Sequence, residues 1–330
     1  MRRYFAKKIS VYLFTFWVAV TIDWGIPRIL PGNPLLAFLS KFELQPDAAR
    51  YMQQYFEKAF GFNQPLWKQY LYYWDGIFHW NLGTSMFYYP TPVTTVIGQH
   101  VFYTMGLLVP AIVLAYFVGN RLGALAARRR VLDNSILPGS YVISGTPYQW
   151  FALLLAFFVG AVWHLLPESN AFFYGTSPVW TWTFIGNFME HWILPFLSLF
   201  FIMLGGWAIG MRNLIIYELE SDYAHWLQML GSPARLVRRY AYRNAVLPQL
   251  TGLALALGTF VAGQIVTEVV FNYPGVGLLF YNAITNSDIF LMQGVFLLVI
   301  MGVLIANFLI DIVYVLVDPR TRVSMMGAEA

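Results

Sequence analysis

The sequence predicts an all-α polytopic membrane protein. Of its 330 residues, 58% are hydrophobic and 11% are charged, whereas an average soluble protein carries roughly 25% charged residues. Charges are too sparse to cover the surface of a soluble globule of this size. The chain also lacks cysteine, which excludes disulfides, thiolate metal sites and cysteine nucleophiles. A soluble enzyme is therefore not expected, and most of the chain is expected to lie in lipid.

Six stretches are long and apolar enough to cross a bilayer core, which takes about 20 helical residues. They cover residues 9–30, 101–126, 136–166, 192–211, 245–271 and 290–317. The third stretch is longer than one crossing needs, and it contains Pro147. We expect a kink, a strong tilt or an additional half-helix at that proline.

Basic residues predict the orientation of these stretches. Fifteen of the 20 Lys and Arg residues lie in the N-terminal segment, around the turn between the second and third stretches, between the fourth and fifth, or after the sixth. The opposite loops, residues 164–191 and 272–289, contain no Lys or Arg. By the positive-inside rule, we expect a multi-pass protein of the cytoplasmic membrane with both termini on the cytoplasmic side.

The segment between the first two stretches predicts a small external cap packed on the spans. It has balanced charge and many aromatic residues, and the spacing in residues 48–59 predicts an amphipathic helix. The expected division of the chain has three parts. These are a basic segment with the first span at residues 1–40, the external cap at 41–98, and a five-helix core at 99–330 with a cytoplasmic segment at 212–248.

A charged residue within a predicted span costs about 3 kcal/mol unless it is paired or hydrated, so Asp23, Arg28, Glu268 and Asp311 are weighed separately. Asp23 and Arg28, near the outer edge, are expected to pair locally or to contact headgroups. Glu268 is expected to fix the loop after the fifth span, and Asp311 to reach the basic interface. They do not form the buried chain of carboxylates that is typical of a proton pump.

Motifs of nucleotide and hydrolytic chemistry are missing from the sequence. It contains no GxxxxGK[ST] loop, no HExxH and no GxSxG, and its five histidines include no pair at metal-ligand spacing. We therefore expect this chain to bind no nucleotide, metal or other cofactor.

The most specific segment lies between the fourth and fifth stretches. Residues 221–231 read SDYAHWLQMLG, and residues 232–248 read SPARLVRRYAYRNAVLP. Two helical turns from Tyr223 to Leu230 are predicted to end at Gly231, with Pro233 just beyond. By composition alone the segment is an ordinary positively charged inner loop. The order of its residues, Asp-Tyr followed by a glycine and then Arg-Asn-Ala-x-x-Pro, is more informative.

This order resembles the cytoplasmic coupling segment of permeases in the dipeptide/oligopeptide (binding-protein-dependent) ABC importer family. The short Ala-rich helix of that family carries His225, Trp226 and Leu227 here. Six further segments are similar to the family in the same order along the chain. They are MRRY with ILPGNP at 29–34, GFNQPLWKQY at 61–70, NLGTS at 81–85, TEVVFNYPGVG at 267–277, Asp288 with Gln293-Gly294, and LVDPR at 316–320.

The resemblance implies the permease architecture of a type I ABC importer. The chain would form half of a translocation path for di- or oligopeptides and would not itself be an enzyme. Its expected partners are the lipid bilayer, a paralogous permease subunit, two ATPase subunits that bind ATP and Mg, and an extracytoplasmic solute-binding protein; nucleic acid is not expected. Some family members carry oligosaccharides, so short glucans remain an alternative substrate.

Two groups of site residues are predicted. The ATPase-coupling residues implied by the resemblance are Asp222, Tyr223, His225, Trp226, Leu227, Gly231, Arg239, Arg243 and Asn244. Small and polar residues at helical spacing in the fifth stretch predict part of the translocation path; they are Thr259, Gly263, Gln264 and Thr267, preceded by Gly252 and Ala256. Close helix–helix contact is the alternative explanation for the second group.

Two functions of other classes are alternatives to the importer. A stand-alone secondary transporter should show internal repeats and intramembrane ion ligands. A membrane-embedded transferase should show a polar catalytic cluster near one interface. Neither pattern is evident in the sequence, and neighbouring ATPase genes would favour the importer.

Overall fold

The computed structural model describes residues 2–29, 34–41, 45–59, 61–173, 175, 179, 181–259 and 265–317. Helices make up nearly all of the regular structure in these ranges, and an isolated bridge pairs Thr84 with Pro92. The helices are α1 (Arg2–Ile29), α2 (Pro34–Leu39), α3 (Pro46–Ala59), α4 (Leu66–Phe78), α5 (Val93–Ala126), α6 (Arg130–Gly145), α7 (Tyr148–Leu155) with a π-helical turn (Ala156–Val162), α8 (Trp182–Leu219), α9 (Asp222–Met229), α10 (Ala234–Thr259), α11 (Ile265–Val270), α12 (Val276–Thr285) and α13 (Ile289–Val317). The predicted all-α class is confirmed.

The described helices include four that are long and apolar enough to cross a membrane. They are α1 from Ala6, α5, α8, and α13 as far as Leu309. A fifth candidate is the pair formed by α6 and by α7 with its π-helical turn. The fifth predicted stretch, residues 245–271, falls on α10, on α11 and on residues 260–264, which lie outside the described residues. A multi-pass membrane protein is therefore established, and the count of six membrane spans stays a prediction.

The break between α6 and α7 has a local cause. The two helices meet at 95°, and Thr146 between them has an extended backbone with φ −78° and ψ 127°. Thr146 directly precedes Pro147, whose ring disfavours helical geometry in the residue before it. The interruption predicted at Pro147 is confirmed.

The chain divides into two compact units. The first contains Met1–Thr104, Val261–Ile265 and Pro274–Ala330, and the second contains Met105–Phe260 and Val266–Tyr273. These two units are defined by the contacts that residues make within the fold. The functional division into residues 1–40, 41–98 and 99–330 stays a prediction.

In the first unit, α1 packs against α13, and a charged contact joins them near the N-terminus of α1. The Lys8 ammonium lies 2.8 Å from the Asp311 carboxylate, and the Tyr12 hydroxyl donates to the same carboxylate across 2.6 Å. Asp311 thus meets a basic residue, as expected, and that residue belongs to α1. An ion pair with an added hydrogen bond offsets much of the penalty for a charge at this depth.

The helix α4, which belongs to the predicted external cap, is held to α1 by polar side chains. The Tyr73 hydroxyl donates to Asp23 across 2.6 Å, and Arg28 donates to the Gln69 side chain across 3.2 Å. Burial, and next the nearby Asp23, raise the pKa of the Tyr73 phenol above its ordinary value, so it remains a donor. Asp23 and Arg28 therefore have partners on α4. The sequence had predicted instead that they pair locally or contact headgroups.

Asp288 connects the segment before α5 to α13 in the same unit. Its buried carboxylate accepts hydrogen bonds from the Ser85 hydroxyl, from the Phe87 amide at 3.0 Å and from the Leu291 amide at 3.0 Å. Because Asp288 directly precedes α13, the last of these bonds caps the N-terminus of that helix. One carboxylate thus caps a span and fixes the loop before α5.

The second unit is built around α8, which packs against α6, α7 and α10. Asp133 at the start of α6 accepts two hydrogen bonds from the Arg212 guanidinium of α8, at 2.9 and 2.6 Å. Gly123 of α5 faces the Ala208 carbonyl of α8 so closely that a Cβ would overlap it. These contacts position the C-terminal end of α8, where the candidate site begins.

Candidate functional site

The candidate site begins where α8 ends and the chain turns into α9. The Ser221 hydroxyl donates to the Glu218 carbonyl across 2.6 Å, and the Ser221 carbonyl accepts from the amides of Ala224 and His225. Asp222 lies in the first turn of α9, where a carboxylate is favoured by the partial positive charge of the helix N-terminus. The predicted short helix is therefore present, and Ala224 is its fully buried residue.

Gly231 ends α9 as the sequence predicts. Its φ is +75°, in the left-handed region that favours glycine. The Gly231 amide donates to the Gln228 carbonyl at 2.9 Å, and the Ser232 amide donates to the Leu227 carbonyl at 3.0 Å. These two bonds form a Schellman motif, which satisfies the last carbonyls of the helix. The chain then reverses and enters α10 after Pro233.

Glu218, at the end of α8, holds the two following helices. Its Oε2 accepts from the Tyr223 hydroxyl of α9 at 2.7 Å and from the Asn244 amide of α10 at 3.0 Å. Burial, and next the bond to Glu218, raise the pKa of the Tyr223 phenol, so the phenol stays protonated at neutral pH. Two of the predicted coupling residues thus share one acceptor, and three helices meet at it. We call Glu218, Tyr223 and Asn244 the Glu218 junction.

An open apolar groove runs between α9 and the start of α10. Its volume is about 590 Å³, and it is lined by Asp222, Tyr223, Trp226, Leu227, Leu236 and Tyr240. The Trp226 side chain is 64% exposed, although burying an indole is normally among the more favourable contributions to a fold. An exposed indole in a groove is typical of a surface that receives a partner. We call this the α9–α10 groove.

The structure brings four of the nine predicted coupling residues, Asp222, Tyr223, Trp226 and Leu227, into this groove. Gly231 terminates its helix, and Asn244 supports it through the Glu218 junction. His225 and Arg243 are exposed outside the groove lining, and Arg239 lines a separate cleft.

Sequence reasoning missed three residues of the site, namely Glu218, Leu236 and Tyr240. Glu218 could have been noticed because it is an acidic residue shortly after an apolar span. Leu236 and Tyr240 are spaced four apart in the arginine-rich start of α10, which places them on one helical face.

The predicted path residues are placed only in part. Gly252 lies against Trp207 of α8, where a Cβ would come within 3.1 Å of the indole. Thr267 is fully buried. Thr259 is the last residue of α10, while Gly263 and Gln264 lie outside the described residues. The assignment of these residues to the translocation path stays a prediction. Gly252 makes a close helix–helix contact, which was the alternative explanation for this group of residues.

Metal-ligating side chains do not cluster in the described part of the chain, where no group of three or more His, Asp or Glu residues could hold an ion. What the described residues show at the site is an apolar groove beside an arginine-lined cleft.

Comparison with known proteins assigns the chain to a family. The sequence model for binding-protein-dependent transport system inner membrane components matches residues 119–323, which include the whole candidate site. The dipeptide transport system permease protein DppB of Escherichia coli K12 is 29% identical over 98% of this chain and 99% of its own length. The di/tripeptide permease protein DppB of Pseudomonas aeruginosa is 30% identical over the same shares.

The oligopeptide transport system permease protein OppB of Haemophilus influenzae is 28% identical over 98% of this chain and 100% of its own length. These similarities agree with the seven segments that pointed to dipeptide and oligopeptide permeases, and they extend over nearly the full chain. The chain belongs to the family of binding-protein-dependent transport system inner membrane components.

Proposed function

We propose that this chain is one of two permease subunits of an ATP-driven importer, and that it forms half of the translocation path for di- or oligopeptides. Family membership supports a transport role. The three relatives described above are named for dipeptide, di/tripeptide and oligopeptide transport. None of these three is named for oligosaccharides, so short glucans receive no support from them.

The observation that carries the proposal is the α9–α10 groove with its exposed Trp226. A chain without a P-loop needs an ATPase partner, and a short helix presented beside an apolar groove suits a helix-in-groove contact. The Glu218 junction joins α9 to α8 and α10 through hydrogen bonds to one carboxylate. Movement of the docked ATPase would therefore be transmitted to both helices as a rigid body and would favour one access state over the other.

The complete assembly would contain this chain, a paralogous permease subunit, two ATPase subunits that bind ATP and Mg, and an external solute-binding protein. This arrangement requires the α9–α10 groove to face the cytoplasm. With the basic residues on the same side, both termini would also be cytoplasmic. The permease chain itself would bind no cofactor.

Co-purification of the ATPase subunits tests the docking surface. We expect Trp226→Ala to reduce their recovery at least tenfold, since an exposed interfacial tryptophan commonly contributes about 2 kcal/mol or more to binding. Trp182→Ala is the matched control, because Trp182 is 89% exposed and begins α8, at the helix end opposite to α9. Equal recovery of the ATPases with Trp226→Ala and wild type would contradict docking at this groove.

Uptake in cells that lack the endogenous gene tests the substrate class. Complementation with this chain and its partner subunits should restore uptake of radiolabelled di- or oligopeptides and leave short glucan uptake unchanged. Restored glucan uptake without peptide uptake would replace the proposed substrate and leave the importer mechanism in place.

A further inference from the structure

A second cleft in the same unit is lined by arginines, and Arg239 is the one predicted coupling residue in its lining. Its volume is about 920 Å³, larger than that of the α9–α10 groove. Its lining consists of Arg128, Arg129, Pro233, Arg235, Leu236, Arg238, Arg239 and Tyr242. Only Leu236 is shared with the α9–α10 groove. We call this the arginine cleft.

The charges of the arginine cleft are not balanced by the described part of the protein. All five arginines are exposed, and among the described residues none of them forms an ion pair. The first turn of α10 also borders the cleft, because Pro233 and Arg235 flank the helix start at Ala234. A helix N-terminus adds partial positive charge at the same place. Five guanidinium groups and a helix end around one cavity attract an anion with several acceptor oxygens.

The position of the cleft indicates the source of that anion. The candidate span α5 ends at Ala126, two residues before Arg128, so this wall lies where a span leaves the membrane. Phospholipid headgroups occupy that depth, and arginines there attract anionic lipids. Leu236 and Tyr242 give the cleft an apolar and an aromatic wall, which suits the glycerol part of a lipid.

We propose that the arginine cleft binds the phosphate group of an anionic phospholipid from the leaflet next to the coupling segment. Planar guanidinium groups match phosphate oxygens in pairs. The lipid would connect the α5–α6 turn, through Arg128 and Arg129, to the start of α10, through Arg235 and Arg238. This inference goes beyond the proposed function and does not depend on the ATPase or the substrate.

Binding of short-chain phosphatidylglycerol to the purified full chain in detergent tests the proposal. Phosphatidylcholine of the same chain length and inorganic phosphate are the two comparison ligands. Arg128→Gln/Arg129→Gln should weaken phosphatidylglycerol binding about 30-fold, since each arginine near an anionic surface contributes a factor of about five. Arg121→Gln/Arg130→Gln is the matched control, because it removes the same charge from exposed neighbours that do not line the cleft.

We expect the wild-type chain to bind phosphatidylglycerol more tightly than phosphatidylcholine. The control variant should keep this preference, and the cleft variant should lose it. Equal weakening in both variants would show attraction to general positive charge and would overturn the proposal. Cleft-dependent binding of inorganic phosphate without binding of phosphatidylglycerol would overturn the lipid assignment. The cleft variant could also bind lipid normally and lose only its ATPase partner. That result would assign the arginines to a protein interface and would overturn the lipid proposal. A thermal melt of each variant identifies misfolding, and Arg235→Gln/Arg238→Gln repeats the test from the opposite wall.

Discussion

Tyr223 and Asn244 lie on different helices, and both donate a hydrogen bond to the same oxygen of Glu218. Hydrogen bonds to a charged acceptor contribute more than neutral ones, about 1.5–3 kcal/mol each. The short helix α9 is therefore held to α8 and α10 by directional contacts at its base, while Trp226 on the same helix is left exposed. A fixed base and an exposed aromatic residue are what the proposed function requires of α9.

Removal of the shared acceptor should uncouple ATP hydrolysis from transport. In Glu218→Ala both side-chain hydrogen bonds are lost, so α9 is held less firmly to α8, and we expect fewer molecules imported per ATP hydrolysed. The measurement is uptake and ATPase activity of the whole importer in proteoliposomes. Glu220→Ala is the control, because Glu220 is exposed two residues further along. A wild-type transport ratio in Glu218→Ala would refute this role for the junction.

A double-mutant cycle then separates the junction from general damage. Tyr223→Phe and Glu218→Gln each weaken the same hydrogen bond, so their combined effect on transport should be smaller than the sum of the single effects. Additive effects would show that Tyr223 and Glu218 act independently.

Gly231 should tolerate asparagine and reject valine. The left-handed conformation is unfavourable by about 1–2 kcal/mol for residues with a Cβ, most of all for β-branched ones, whereas asparagine adopts it more readily. The space around Gly231 is open, since a Cβ added to this residue would meet no heavy atom within 4 Å. We therefore expect Gly231→Val to insert normally and to recover less ATPase on purification, while Gly231→Asn recovers nearly as much as wild type. Similar recovery with both variants would mean that backbone conformation at this position does not affect docking.

Loss of the Asp288 carboxylate should destabilise the first unit. Asp288→Ala leaves the Ser85 hydroxyl and the amides of Phe87 and Leu291 without their buried acceptor, at an expected penalty of about 3 kcal/mol. The measurement is thermal unfolding of the purified chain in detergent. Asp75→Ala serves as control, since the Asp75 side chain is 70% exposed. Equal unfolding temperatures for the two variants would argue against a structural role for Asp288.

Single cysteines can decide whether the fifth predicted stretch borders the translocation path. Because the chain contains no cysteine, Thr259→Cys and Gln264→Cys each carry one thiol. We expect a small charged thiol reagent to label both in the assembled importer, at rates that change when ATP is bound. Ala245→Cys is the unreactive control, because Ala245 is 1% exposed within α10. Absence of labelling at both positions in every nucleotide state would favour a dry helix contact.

The purified chain without partners should neither bind nor hydrolyse ATP. The reason is the missing P-loop, since no other phosphate-binding loop motif occurs in the sequence. Equilibrium binding of a labelled nucleotide provides the measurement, with the complete importer as positive control. Stoichiometric binding to the isolated chain would contradict the assignment of ATP to the partner subunits.

Local chemistry in the sequence was sufficient for several elements of the fold. Pro147 predicted the break in the third span, because proline acts on its own neighbours. Gly231 with Pro233 predicted the end of α9, because a left-handed C-cap depends on one residue and the turn before it. The membrane class followed from composition alone. The family assignment followed from short segments in a fixed order.

What the sequence could not provide were contacts between residues far apart in the chain. Asp311 was expected at a basic interface, and its partner Lys8 lies at the other end of the sequence. Asp23 and Arg28 were expected to pair with each other or with headgroups, and they bond to α4. A helical period shows which face a residue occupies, but it contains no information about which distant helix packs on that face.

The candidate site illustrates the same difference between local and distant contacts. Neighbouring residues were enough to predict a short helix with Asp222, Tyr223 and Trp226 that ends at Gly231. Two arrangements became visible only in the folded chain: Glu218 joins three helices, and Arg128 shares a cleft with Arg238. Both arrangements depend on how α8, α10 and the α5–α6 turn pack, and packing is set by the shapes of many side chains together.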